Sequence, residues 1–170
     1  MINTNGAINL SSQWSQRETD SNNANNSVTD AGQLTYTKQY ISGSSTGTIN
    51  QVFNQLSTLS SGSSLNLNLT GLTQSILGNS VIKSFTGICS LTMRNLSTNP
   101  GYHININLTS SSGFKDIFGG PTGVIVLNPN SAIHINTAGS PYVVNTNSKH
   151  ILIQDGGSGA TFELSILGRS

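Results

Sequence analysis

The feature that most constrains this chain is strict apolar–polar alternation over short runs. Phe162, Leu164 and Ile166 alternate with Thr161, Glu163 and Ser165. Leu65, Leu67 and Leu69 alternate with Asn66, Asn68 and Thr70, and Tyr102, Ile104, Ile106 and Leu108 alternate with His103, Asn105 and Asn107. Successive side chains of a strand point to opposite faces, so a period of two means one buried face and one wet face. Ile151 and Ile153 begin the same pattern just before Asp155-Gly156-Gly157. Those three residues tolerate positive φ, and the spacing predicts a closing hairpin over 149–170.

Further strands are expected at Gln33–Tyr40, Ile49–Leu56, Val81–Phe85, Gly87–Leu96, Val124–Leu127, Ala132–Asn136 and Pro141–Val144. Ile49, Val52, Phe53 and Leu56 also fit helical spacing, but their β-branched and aromatic character in an Asn/Ser-rich context favours a strand. Turns are expected at Ser97–Gly101, Asn128-Pro129-Asn130 and Ala138-Gly139-Ser140. Gly71–Asn79 reads as a loop or single turn, and Phe114–Pro121 as a compact apolar loop. About eight to ten short strands with no long helical pattern predict an all-β fold, a single β-sandwich of jelly-roll type.

The first 32 residues differ from the rest. They hold the run Ser21–Ser27, rich in Asn, and few large apolar groups. Such a segment cannot bury enough surface to fold alone. The expected organisation is an extended or flexible N-terminal arm over 1–32 and a β-sandwich domain over 33–170. Trp14, the only tryptophan, and Arg17 are the candidate anchors of that arm against a partner, since aromatic and Arg side chains carry much interface energy.

Charged residues make up only 8% of the 170, and the net charge is +1. That leaves no electrostatic footprint for nucleic acid. No apolar run is long enough to span a membrane. The start, Met1-Ile2-Asn3, shows neither a basic nor an apolar leader pattern, so synthesis in a cytoplasm is expected. Cys89 is the one cysteine, which rules out an intrachain disulfide, and it is expected to be a small buried residue.

Signals for chemistry are sparse. Asp116, Asp155 and Glu163, with Asp30 at the edge, are far apart or on different expected elements, which argues against paired carboxylates. His103, His134 and His150 lack metal-ligand spacing. Gly119-Gly120-Pro121-Thr122-Gly123 is not followed by a helical pattern, so it lacks the dipole of a phosphate loop. No catalytic residue, cofactor or metal is expected. Tyr102, Phe114 and Tyr142, aromatics near turns, are the candidate contacts to a ligand such as a sugar or to a neighbouring subunit.

From Thr48 onward the order of motifs resembles a family of small structural proteins from the head-gene region of tailed bacteriophages. The likeness rests on Ile49-Asn50-Gln51-Val52-Phe53, then the strand Leu65–Leu69, then Leu72-Thr73 and Leu77-Gly78-Asn79. It continues through Leu91–Ser97, Ile117-Phe118-Gly119 and the ending Ile166-Leu167-Gly168-Arg169-Ser170. Leu77 stands where that family usually has Phe, and no Pro-Gly-Gly turn occurs near Asn128-Pro129-Asn130. The resemblance implies a virion protein that decorates or cements the capsid surface, or forms a short head fibre or spike, as a homotrimer bound to the major capsid protein or other virion proteins. The alternative is a carbohydrate- or receptor-binding module of a tail fibre, with a host glycan as ligand.

Overall fold

The computed structural model is all-β, and each alternating run named above falls at least partly in one of its β-strands. It describes residues 6–20, 23–43, 45, 48–107, 112–114, 117, 123–137 and 139–170; for residues 8, 14, 16–20 and 23–30 it describes the backbone alone. In chain order the strands are β1 Gly6–Asp20, β2 Asn23–Tyr40, β3 Gln51–Leu59, β4 Ser64–Asn68, β5 Leu72–Ile76, β6 Asn79–Lys83 and β7 Gly87–Asn95. They continue as β8 Ile104–Asn107, β9 Val124–Leu127, β10 Ala132–Asn136, β11 Tyr142–Val143, β12 His150–Asp155 and β13 Ala160–Arg169. All pairings between these strands are antiparallel.

The chain divides into two units, Gly6–Tyr40 and a body containing Ile41–Ser170. The first unit is a two-stranded ribbon in which Gly6 pairs with Tyr40, Gln13 with Gln33 and Trp14 with Gly32. The expected boundary between Gly32 and Gln33 therefore falls inside β2, and the structural division comes after Tyr40. The reason is backbone pairing. Gln33–Tyr40 has the strand pattern expected of it, but the edge it pairs with is β1.

In the body, a five-stranded sheet has the order β10-β7-β13-β3, with β11 also pairing β7. A four-stranded sheet has the order β4-β12-β8-β9. Both feed one apolar cluster. Phe53, Leu91, Met93, Phe162, Leu164 and Ile166 come from the first sheet, and Leu67, Ile104, Ile106, Leu127, Ile151 and Ile153 from the second. Burial follows the sequence alternation: Phe162, Leu164 and Ile166 are buried, while Glu163 is exposed. Each such side chain removed from water contributes about 1.5–3 kcal/mol before the entropy of ordering is subtracted.

β7 departs from a simple alternation. Ile88, Cys89, Ser90 and Leu91 are all buried. Opposite them, Leu167 pairs with Ser90 and Gly168 with Ile88, so Cys89 is the extra residue of a bulge. Gly168 permits the close approach, because a Cβ there would sit 2.2 Å from the Gly87 carbonyl oxygen. Cys89 is buried, as expected.

Two expectations are overturned. Gly71–Asn79 is not a loop, because β5 and most of the turn to β6 lie in it and the two strands form a hairpin with Ile76 opposite Asn79. Its tip places Leu77 at φ 51° and Gly78 at φ 81°. Two consecutive positive φ values suit the twist of a two-residue hairpin turn. Leucine is an unusual occupant of the first position, which hid the turn in the sequence. The closing hairpin over 149–170 is also absent. β12 pairs with β4 and β8, whereas β13 pairs with β3 and β7. A strand has two edges, and both strands have theirs filled by other neighbours. The link from Asp155 to Ala160 is thus an arch from one sheet to the other.

Candidate functional site

Three connections meet beside that arch. They are the β3–β4 turn at Ser60–Ser63, the β7–β8 loop at Leu96–His103, and the arch itself at Gly156–Gly159. Asp155 ties two of them together. Its Oδ2 accepts a hydrogen bond from Gly62 N at 2.9 Å and its Oδ1 from Gly159 N at 3.0 Å. Burial opposes ionisation of this carboxyl. The backbone N–H groups of Gly62, Gly157 and Gly159 and the charge of His103 outweigh that, so its pKa lies below the ordinary value. Ser61 Oγ donates to Gly157 O at 3.2 Å, and Ser158 N donates to Gly101 O at 3.3 Å.

The β7–β8 loop is held from below by Asn95, which is fully buried. Its Nδ2 donates to Tyr102 O at 2.7 Å and to Leu127 O at 3.0 Å, and its Oδ1 accepts from Ser97 N at 3.0 Å. A buried amide satisfied on both ends sets the position of the backbone that carries Tyr102. Ser97 Oγ in turn accepts from Thr161 N at 3.0 Å, joining the loop to β13.

These connections enclose a cleft of about 450 Å³. Thr58, Ser60, Thr98, Asn99, Tyr102 and Ser158 are among its lining residues, and among the described residues no charged side chain lines it. Tyr102 is half-buried there. A second concavity of about 420 Å³ lies on the five-stranded sheet, lined by Leu56, Arg94, Ala132 and Glu163, which stand opposite one another across β3, β13, β7 and β10.

The other candidates lie elsewhere. Phe114 belongs to the buried core cluster, so it offers no surface to a ligand or subunit. Its backbone explains this: Phe114 N donates to His150 O at 2.8 Å, drawing the ring inward beside β12. Tyr142 pairs with Ile88 through β11 and packs half-buried against the same cluster. Trp14 and Arg17 lie in β1, and their side chains fall outside the described residues. Asp116 and Phe118–Thr122 also lie outside them.

The histidines are held separately. His134 Nδ1 and Thr92 Oγ1 share a hydrogen bond of 2.7 Å, and desolvation lowers the pKa of this imidazole. His150 Nδ1 and Ser112 Oγ share another, also 2.7 Å. His103 faces the arch, where a Cβ on Gly156 would lie 2.3 Å from its ring. Among the described residues no group of three His, Cys, Asp or Glu side chains is placed to hold a metal ion, and no helix is long and apolar enough to cross a membrane.

The cleft was only partly legible in the sequence. Tyr102 stood out as an aromatic beside a turn. Asn95 carried a signal that could have been used: it continues the inward parity of Leu91 and Met93, and a polar side chain at an inward position must have buried partners. Thr58 and Ser158 carried none, since hydroxyls abound in this chain. No protein-family model, curated protein or solved structure matches the chain.

Proposed function

We propose that this chain is a structural protein of a bacteriophage virion, a decoration or cement protein or a short head fibre on the capsid surface. In this reading the body is a jelly-roll β-sandwich, and the N-terminal ribbon is the arm that attaches it to the major capsid protein or another virion component, with three copies assembling together. The observation that carries the proposal is an exposed apolar patch on one face of the ribbon, a face that also carries Ser12 and Lys38. Leu10 and Tyr36 are directly opposite in register, Leu34 is the next position on that face, and they are 42%, 38% and 68% exposed. The reverse face, with Asn9, Ser11, Gln13, Gln33, Thr35 and Thr37, is polar.

A two-stranded ribbon is marginally stable in water by itself. One with a dry face and a wet face gains stability when the dry face meets a partner, and repetition over a symmetric shell multiplies weak contacts. The low charge of the chain limits nonspecific attachment. The test is deletion of residues 1–40, which removes the whole ribbon. The truncated protein should keep a cooperative unfolding transition and lose co-sedimentation with the virions. Incorporation of the truncated protein at the normal level counts decisively against the arm.

A further inference from the structure

We propose that the cleft around Tyr102 binds a neutral saccharide. Its lining is selective by what it contains and by what it lacks. Thr58, Ser60, Thr98, Asn99 and Ser158 present hydroxyl and amide groups and Tyr102 an aromatic ring, and among the described residues no charged side chain lines the cleft. An anionic ligand would find no counter-charge there. A wholly apolar one would strip water from hydroxyls without replacing their hydrogen bonds. A pyranose has both surfaces the cleft offers a match for, an apolar C–H face for an aromatic ring and hydroxyls that donate and accept. The volume of about 450 Å³ lies within the usual range for small-molecule sites, roughly 300–1,000 Å³.

The polar groups are available. Among the described residues the side chains of Thr98, Asn99 and Ser158 have no hydrogen-bonding partner. The backbone beneath them is fixed in advance. Asn95 holds the carbonyl of Tyr102 at 2.7 Å. Gly159 is buried and bonded to Asp155, and Gly157 fits so closely that a Cβ would meet Gly101 O at 1.6 Å. A site whose frame is rigid before binding spends little ordering entropy on the ligand. The groove lined by Leu56, Arg94 and Glu163 has no such arrangement of neutral hydroxyls around an aromatic ring.

The site is independent of the ribbon that carries the virion proposal, so the two can fail separately. The test is an amide-resolved NMR titration of the full chain with glucose, galactose, N-acetylglucosamine and maltose in turn, and with inorganic phosphate as the anionic probe. At least one sugar should give saturable shifts confined to residues 58–60, 96–102 and 158–161, with a dissociation constant of about 1 mM. Asn99→Ala and Tyr102→Ala should each weaken it, the latter by about tenfold, while Tyr102→Phe keeps the ring and most of the affinity. Asn99 is exposed, so its variant reports on binding even where loss of the half-buried tyrosine perturbs the fold. The proposal is overturned if no sugar gives saturable shifts, if the shifts lie elsewhere, if phosphate binds the cleft more tightly than every sugar, or if Asn99→Ala binds like the parent.

Discussion

Two reversals of the chain do opposite things, and each does the opposite of what its residues announce. Leu77-Gly78 joins two strands that pair with each other, β5 and β6. Asp155–Gly159 joins two strands that do not, β12 and β13, and carries the chain from one sheet to the other. Turn chemistry alone points the other way, because Asp-Gly-Gly is the better hairpin signal. The difference lies in what the flanking strands have beside them. β5 and β6 form a two-stranded sheet and, among the described residues, pair only with each other. β12 and β13 are each flanked on both edges, and both point apolar rows into the shared core. A flexible turn permits the chain to reverse; the free edges decide whether the reversal is a hairpin.

The largest effects are expected at the two glycines of these turns, Gly157 and Gly78. A Cβ on Gly157 would lie 1.6 Å from the Gly101 carbonyl oxygen, a backbone atom that cannot swing aside. Gly157→Ala should therefore lower the unfolding free energy by about 2–4 kcal/mol in urea denaturation. Gly78 has nothing within 4 Å of a built Cβ, although its φ is 81°. Gly78→Ala should cost only the conformational strain, about 1 kcal/mol. Equal losses in the two variants would show that the arch is no more closely fitted than the hairpin tip.

A smaller effect is expected at the arch's carboxylate. Asp155→Asn keeps one acceptor and loses the charge that two oxygens direct at Gly62 and Gly159. Discounted for solvent exposure, the loss should be about 1 kcal/mol at neutral pH. Its pH dependence has a definite sign. The folded pKa of Asp155 is lowered, so its contribution is full above the unfolded value of about 3.9 and fades as the pH falls through the folded value. The stability gap between parent and Asp155→Asn should close toward strongly acidic pH, and a gap that stays constant down to that range would remove the carboxylate from the account.

The smallest expected effect is a gain. Leu77 is 96% exposed with φ 51°, so it has left-handed strain and makes little burial in return. Asn tolerates that backbone better, and Leu77→Asn should raise thermal stability by about 0.5–1 kcal/mol. A loss of stability would mean that Leu77 packs against something and that the hairpin tip is not free.

Legibility in the sequence followed the same division. Val124–Leu127 and Ala132–Asn136 are strands with the expected bounds, because each is a short apolar run between strong turn residues. β5 was missed and β6 was expected only from Val81 onward, because Thr73, Gln74, Ser75, Asn79 and Ser80 dilute any alternation and the tip lacks the usual Asn-Gly. β1 and the Asn-rich start of β2 were missed for a related reason. Their pairing rests on backbone hydrogen bonds, and Ser21–Ser27 has no apolar row to announce it. Of the aromatic candidates, Phe114 went to the core and Tyr102 to the cleft. Both are rings beside a turn, and only the surrounding strands distinguish them.

Taken alone, the sequence determined the parity of each strand. It says that Phe162, Leu164 and Ile166 share a face, that Ile104 and Ile106 do likewise, and that those faces must leave water, since hydrophobic burial depends on side-chain identity. Which strand lies beside which was decided only by the tertiary structure. Strands are joined by backbone N–H and C=O groups that are nearly the same in every residue, so a strand's own residues do not name its neighbour. The cleft at Tyr102 follows from that second kind of information, because it exists where the ends of strands from both sheets were brought together.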